Sequence, residues 1–431
     1  MDSSNNSISA SNLSDRIQSL DILRGVVVLG ILLMNINDMG LTGAYENPTV
    51  SGGATGWDLT TWITASMLFE GTMRGLFSLL FGVGMYILLD RLEKKGAGIN
   101  AANIYFRRIT WLLVFGLIHG YLLLWHGEIL FNYALMGFLV FSFRNLVPKK
   151  LILISIFLIM AGTLWDYVDY RGEVKFNEQV TMAREYRSAG KELTKELREA
   201  YEKWEDTEAK RSPEAIEEYN ANMRKGYFSL VAFVAPKYTH DNTLFPYRYD
   251  LWDVLSMMLL GIALFKLNIL SGEKSFRFYG LMALIGYAIG LLINYYETKL
   301  IIDSNFSSLA FSKSHLTYQF GRVMVSFGHI ALIMIFYKSS IMGWLKTCLA
   351  SVGKMALTNY VMQSVFAMII FTGVGFGLFG KLQRHELLYV VFSIWIFQLI
   401  ASPIWLKYFQ FGPLEWIWRN LTYLKKHPFR K

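Results

Sequence analysis

The chain has 431 residues, 42 Lys+Arg against 33 Asp+Glu, a net charge of +9 and 53% hydrophobic residues. Of the charged residues, 25 fall within positions 171–226, so the remainder is far poorer in charge than the ~25% of a soluble domain. That excludes a soluble enzyme, and the high hydrophobicity excludes a disordered chain; what is left is a polytopic membrane protein with one water-facing insert.

The first residues, MDSSNNSISASNLSD, are polar and carry no basic run ahead of the first apolar segment. No small-residue cleavage site follows that segment, which therefore reads as a retained anchor. A bilayer core takes ~20 mostly apolar residues per helix. Ten segments fit: 20–38, 62–89, 104–124, 129–143, 150–168, 250–267, 277–296, 317–337, 356–379 and 386–406. The second reaches back to Trp57 and is expected either to break at Gly71 or to begin in the interface. Pro403 is expected to kink or end the last one.

The short loops divide by charge. One set holds Arg91, Lys94, Lys95, Arg107 and Arg108, then Arg144, Lys149 and Lys150, then Lys266, Lys274 and Arg277, then Lys338, Lys346 and Lys354. The opposite set is nearly free of Lys and Arg; 39–56 has none. The positive-inside rule places both termini in the cytoplasm and 171–226 outside. It also accounts for the basic balance without nucleic acid as a partner. The expected fold is an all-α polytopic bundle of about ten transmembrane helices. Its parts are a membrane half at 1–168, a charged extracytoplasmic helical insert with an interfacial segment at 169–249, a second membrane half at 250–410 and a basic cytoplasmic tail at 411–431. Within the insert, Glu–Lys and Glu–Arg pairs at i,i+4 predict one or two solvated helices, with Pro213 opening one of them; a charged spacer without chemistry is the plain alternative. Residues 227–247 are too short to span and are expected to lie in the interface or fold back toward the bundle.

Ionisable groups inside apolar helices are costly and mark candidate sites. In the first span, Asp21, Arg24, Asn35 and Asp38 fall on one stripe at 100° per residue. A stripe at both ends of a helix suits a site that communicates across the membrane; helix–helix glue is the alternative. Glu70 and Arg74, at i,i+4, read as an ion pair. His119 lies near the outer surface, followed by His126 and Glu128 in a turn and by Asn132. A histidine near a carboxylate is the usual general-base arrangement; a histidine bonded to a backbone carbonyl is the plainer one. No third close ligand accompanies these groups, and the single cysteine, Cys348, makes no disulfide or cysteine-based site, so no metal is expected. Arg322, with Tyr318 and His329 on its helix, is a candidate for an anionic head group. Asn359 and Gln363, preceded by Lys354, form with Arg107 and Arg108 a cluster able to receive phosphates, or anchors set by the charge rule alone. No phosphate-binding glycine loop, nucleophile elbow, H-E-x-x-H or H-x-x-x-x-D box is present. The glycines of LFGVG and GVGFG read as close packing within helices.

The blocks SLDILRGVVVLGILLMNI, LFSLLFGVGM, RRITWLLVFGLIHGYLLLWHGEILFNYALMG, GKMALTNYVMQS and FGPLEWIWRNLTY occur in that order. Together they resemble the YeiB-like family of bacterial membrane proteins, over nearly the whole chain except 171–226. That family is grouped by sequence with transmembrane acyltransferases, among them heparan-glucosaminide acetyltransferase. The resemblance implies a plasma-membrane protein that moves an acyl group from cytoplasmic acyl-CoA, such as acetyl-CoA, to a hydroxyl on an extracytoplasmic glycan or lipid-linked acceptor. The D-x-x-R-G…N pattern of the heparan enzyme is matched by Asp21, Arg24, Gly25 and Asn35. Its catalytic histidine, in the loop that follows, has no counterpart here, and His119 is the substitute. On this reading Arg24, Arg107, Arg108 and Lys354 meet the phosphates, His119 oriented by Glu128 is the general base, and Asn35 steadies the oxyanion. A transporter built on Glu70–Arg74, His119 and His329, and a membrane scaffold acting through the insert, are the competing readings. The oligomeric state stays open, a homodimer included.

Overall fold

The computed structural model describes residues 17–44 and 47–431. The polar leader through Arg16, and Tyr45 and Glu46 of the 39–56 loop, lie outside the described residues. Within them the chain is helical: α1 Gln18–Gly40, α2 Gly56–Leu68, α3 Thr72–Lys94, α4 Ile99–Leu122, α5 Leu130–Phe143, α6 Pro148–Ser188, α7 Lys195–Ala209, α8 Pro213–Met223 and α9 Tyr227–Phe245. After a π-helical turn at Pro246–Asp250 come α10 Val254–Lys266, α11 Phe276–Asp303, α12 Ser308–Lys338, α13 Gly343–Lys354, α14 Ala356–Phe371, α15 Leu387–Tyr408 and α16 Pro413–Tyr423.

Seven runs are long and apolar enough to cross a membrane: α1, α2–α3, α4, α6, α11, α12 and α15. The pair α13–α14, bent by 83° at Met355, makes an eighth. The other two expected segments are helices α5 and α10, at 14 and 13 residues. At ~1.5 Å per residue they rise only about 20 Å, short of a ~30 Å hydrocarbon core. The expected ten is thus seven to eight full-length spans plus two short apolar helices.

The second span breaks as its glycine suggested. α2 stops at Leu68, Gly71 takes φ +62°, and α3 restarts at Thr72. The ninth is shorter than expected. α14 ends at Phe371, and GVGFG forms a turn with Gly377 at φ +62°; its Gly373 does allow close packing, against the backbone of Arg224 after α8, but from a turn and not from within a helix. α15 continues through Pro403 to Tyr408.

Glycines set two crossings. A Cβ on Gly82 would lie 2.4 Å from Met258 O of α10, and one on Gly261 would lie 2.3 Å from Leu79 O of α3. Likewise a Cβ on Gly25 would meet Leu349 O at 2.0 Å, and one on Gly353 would meet Asp21 O at 1.9 Å. Backbone carbonyls cannot yield as side chains do, so α1 touches α13 only because both positions are glycine. Gly353→Ala is therefore expected to cost about 1–3 kcal/mol by overpacking; a lowered thermal midpoint in detergent checks it.

The insert is an extension of the bundle. α6 runs 41 residues, carrying the apolar span straight into the charged region. α7 lies along it, with Arg184 over Trp204 at 3.8 Å and Arg187 over Tyr201 at 4.5 Å. α8 opens on Pro213 behind a Ser212 cap, Ser212 Oγ accepting from Ala215 N at 3.2 Å. α9 folds back onto α4, where the buried Tyr238 hydroxyl lies 3.1 Å from Gly116 O. Arg224 Nε donates to Phe379 O at 2.8 Å, so the insert also clamps the turn after α14. The basic loops converge at the opposite end: Lys266 Nζ donates to Leu146 O at 2.7 Å, Lys338 Nζ to Gly272 O at 2.9 Å and Ser19 Oγ to Leu270 O at 2.8 Å.

Candidate functional site

Two cavities stand out, one at each end of this bundle. The first, at the basic end, has a volume of about 350 Å³, within the size of small-molecule pockets. α1 gives it Asp21 and Arg24; α3 gives Phe77, Leu80, Phe81 and Arg91, with Lys95 just past its end; α4 gives Arg108. The α13–α14 corner adds Lys354, Leu357 and Tyr360, α5 adds Tyr133, and α16 closes it with Glu415, Trp418 and Arg419. The mouth is cationic and the interior is leucine, phenylalanine and tyrosine. Such a site suits an amphiphile with an anionic head.

Each charged group has a fixed place. Arg24 Nη1 donates to Asp21 Oδ1 at 3.0 Å, while Asp21 Oδ2 is buried without a protein partner. Arg108 lies over the Trp418 ring at 3.5 Å, and Trp418 Nε1 donates back to Arg108 O at 2.9 Å. Glu415 holds α16 against the start of α14, accepting from Thr358 N at 3.0 Å and Thr358 Oγ1 at 2.5 Å. It thereby caps a helix N-terminus, where a carboxylate is favoured. Burial pushes the Glu415 carboxyl above its usual range, against the pull of those hydrogen bonds.

The second cavity, at the insert end, measures only about 30 Å³, roughly one water molecule's share of liquid. Asp38, Trp125, His126, Tyr219, Met223 and Ser364 line it.

His119 lies in the wall between the two, 1% exposed. Its ring meets the Tyr360 ring edge-on, centroids 5.3 Å apart, and its Nε2 is 2.8 Å from Ser364 Oγ. Tyr360 lines the first cavity and Ser364 the second.

Of the residues singled out in the sequence, Asp21, Arg24, Arg108 and Lys354 meet in the first cavity, and Asp38 of the same α1 stripe lines the second. The others have different places. Arg107 donates to Thr422 O at 3.0 Å and pins α16 from outside the cavity. Asn359 donates to Ser402 Oγ at 3.1 Å, and Gln363 donates to Gln398 Oε1 at 3.1 Å and Val28 O at 3.0 Å. Asn359 thus joins α14 to α13 and α15, and Gln363 joins it to α15 and α1, away from the cavity face of Leu357 and Tyr360. Asn35 is half-buried and lines neither cavity. Glu128 does not orient His119. It accepts from Leu130 N at 2.8 Å, Phe131 N at 3.2 Å and Tyr238 Oη at 3.0 Å, capping α5; His119 Nδ1 has no protein partner. Arg322 is not open to a head group. It is 1% exposed and ion-paired with Asp253, which also binds Arg74. Among the described residues no group of three or more metal-ligating side chains comes together.

Sequence reasoning missed Ser364, Tyr360, Asp253 and the whole of α16. Ser364 and Tyr360 stand in GKMALTNYVMQS, and α16 is FGPLEWIWRNLTY; the blocks were visible, but their roles depend on contacts across hundreds of residues. Asp253 was inside an expected span and its charge went unremarked.

Comparison with known proteins finds relatives along almost the whole chain. A family model described as "Protein of unknown function (DUF418)" matches residues 264–425. The uncharacterized protein YeiB of Escherichia coli (strain K12) is 30% identical over 95% of this chain and 96% of its own length. The uncharacterized protein YxaH of Bacillus subtilis (strain 168) is 27% identical over 97% of each. No solved structure matches. With a relative of that identity aligned almost end to end, the chain belongs to the YeiB-like DUF418 family of proteins.

Proposed function

We propose that this chain is an acyltransferase of the bacterial plasma membrane. It moves an acyl group from cytoplasmic acyl-CoA to a hydroxyl of an extracytoplasmic acceptor such as a glycan. The observation that carries the reading is the first cavity: a ring of Arg24, Arg91, Lys95, Arg108 and Lys354 over an apolar interior that ends at Tyr360. Phosphates pair with the guanidinium and ammonium groups. The acyl-bearing stem runs between Phe77, Leu80 and Leu357 toward the wall that holds His119. The charge rule puts this mouth in the cytoplasm, where acyl-CoA is made. The acceptor approaches from the insert end, past Asp38 and His126.

The test is acetyl-CoA binding to the detergent-purified full chain by calorimetry. Arg24→Ala is expected to weaken it about 10-fold or more, since a hydrogen bond to a charged group contributes ~1.5–3 kcal/mol, and added salt should weaken it further. A protein that ignores acetyl-CoA at millimolar concentration is not this enzyme. The second reading, a transporter for a small or lipid-linked solute, draws on Asp253 buried between Arg74 and Arg322 beside the α2–α3 break. Charges at broken helices mark ion pathways. Proteoliposomes that acidify on an imposed potential would favour it.

A further inference from the structure

The wall between the cavities poses a chemical problem for the proposed transfer, on which this inference rests. A donor thioester in the first cavity and an acceptor hydroxyl in the second cannot both come within the ~3–3.5 Å that attack requires. Tyr360 and Ser364, which face the two cavities, are one α-turn apart, about 6 Å along α14. An acyl group crosses such a partition most directly on a side chain that belongs to it.

We infer that Ser364 is an acyl-carrying nucleophile, activated by His119, and that transfer proceeds in two half-reactions through an acyl-serine ester. Ser364 Oγ and His119 Nε2 are 2.8 Å apart and both side chains are buried, the nucleophile–base pair of covalent catalysis. His119 carries a second sign. Its Nδ1 has no protein partner although the ring is 1% exposed. An unpaired buried ring nitrogen beside a hydroxyl is costly for a purely structural histidine and ordinary in a reactive one. The other hydroxyl in the wall, Tyr360 Oη, accepts from Ile129 N at 3.3 Å and lacks the imidazole that Ser364 has at its side.

Ser364 lines only the second cavity, so in the first half-reaction the Tyr360 ring swings aside to admit the thioester; Ser364 Oγ then bonds to the carbonyl carbon, and its proton passes to His119 Nε2. The C–S bond breaks and the thiolate leaves toward the cytoplasm, taking that proton as free CoA thiol. In the second, an acceptor hydroxyl gives its proton to His119 and attacks the ester carbonyl. The C–O bond to Ser364 breaks, Ser364 recovers a proton from His119, and the acylated acceptor leaves on the insert side. Nothing is oxidised or reduced, and no further reactant is needed.

The experiment incubates the purified full chain with radiolabelled acetyl-CoA in the absence of acceptor, then digests it and locates the label by mass spectrometry. The expected result is acetyl on Ser364, removed by alkaline hydroxylamine as an O-ester is. Ser364→Ala is expected to lose the label while still binding acetyl-CoA. Ser364→Cys is expected to keep it as a thioester, cleaved by hydroxylamine at neutral pH; this variant answers the question if the alanine variant fails to fold. If the native chain binds acetyl-CoA and acylates an acceptor with no label on Ser364, and Ser364→Ala transfers within about 3-fold of native, direct transfer is correct and the acyl-serine is not. If the chain does not bind acetyl-CoA at all, the transferase reading fails first and the acyl-serine with it.

Discussion

In the proposed acyl transfer, His119→Ala is expected to lower the rate from acetyl-CoA by about 10²–10⁴-fold, the range a positioned general base contributes, with acetyl-CoA affinity unchanged. The separation follows from where the ring sits. His119 is absent from the lining of the first cavity and reaches it only through the face of Tyr360, so removing the imidazole takes no contact from the donor. It does take the proton acceptor from Ser364, whose hydroxyl is a poor nucleophile without one. The loss should therefore fall on kcat and leave KM for the donor in place. Truncating a buried ring also leaves a void. His119→Gln, which fills much of the space and keeps a polar end, serves as the companion: it should show the same kinetic loss with a smaller fall in thermal midpoint. A His119→Gln variant that transfers at the native rate would remove His119 from the chemistry, whatever its effect on folding.

The cationic mouth was readable in advance because its members share one physical cause. Arg24, Arg108 and Lys354 stand at helix ends that the charge rule sends to the same side of the membrane, and a small bundle brings same-side helix ends together. Asp21 and Arg24 were placed correctly relative to each other because a helix fixes faces at i,i+3, and they do pair. What periodicity cannot supply is which helix a face will meet. Nearness in sequence puts Glu128, nine residues on, within reach of His119. In the folded chain Glu128 is consumed by the orphan N–H groups at the start of α5, a demand every helix N-terminus makes, and His119 meets Ser364 from a helix late in the chain. The i,i+4 spacing of Asn359 and Gln363 predicts one polar face, which by sequence alone suits phosphates. They are indeed one face, but it turns to α15, where Ser402 and Gln398 satisfy it. The charged insert shows the same limit. Its helicity was plain from its charge spacing, whereas its contribution of Tyr219 and Met223 to the second cavity was not.

Asp253→Ala is expected to be the most destabilising single substitution in the membrane core, at roughly 3–5 kcal/mol. Asp253 is 2% exposed and its two carboxylate oxygens are divided between guanidiniums, Oδ1 to Arg322 and Oδ2 to Arg74. Arg322, on α12, is itself buried and also donates to Gln319. The carboxylate thus ties α3, α10 and α12 around one point. Removing it leaves Arg322 charged in a place water does not reach, and that uncompensated cation, more than the lost attraction, sets the cost. Asp253→Ala combined with Arg322→Met removes the stranded charge and replaces it with a shorter, flexible apolar chain, so the double variant should melt above the Asp253→Ala single variant. Tryptophan fluorescence during heating in detergent reads both. Should the double variant melt lower than either single one, the two residues stabilise the bundle independently and the ion pair is not what holds these helices. Asp253→Asn sharpens the comparison between the functional readings. It keeps the shape and loses the charge, so a structural pair predicts a lowered midpoint with acetyl-CoA binding intact. A proton pathway through Asp253 predicts a well-folded protein that no longer conducts protons in vesicles.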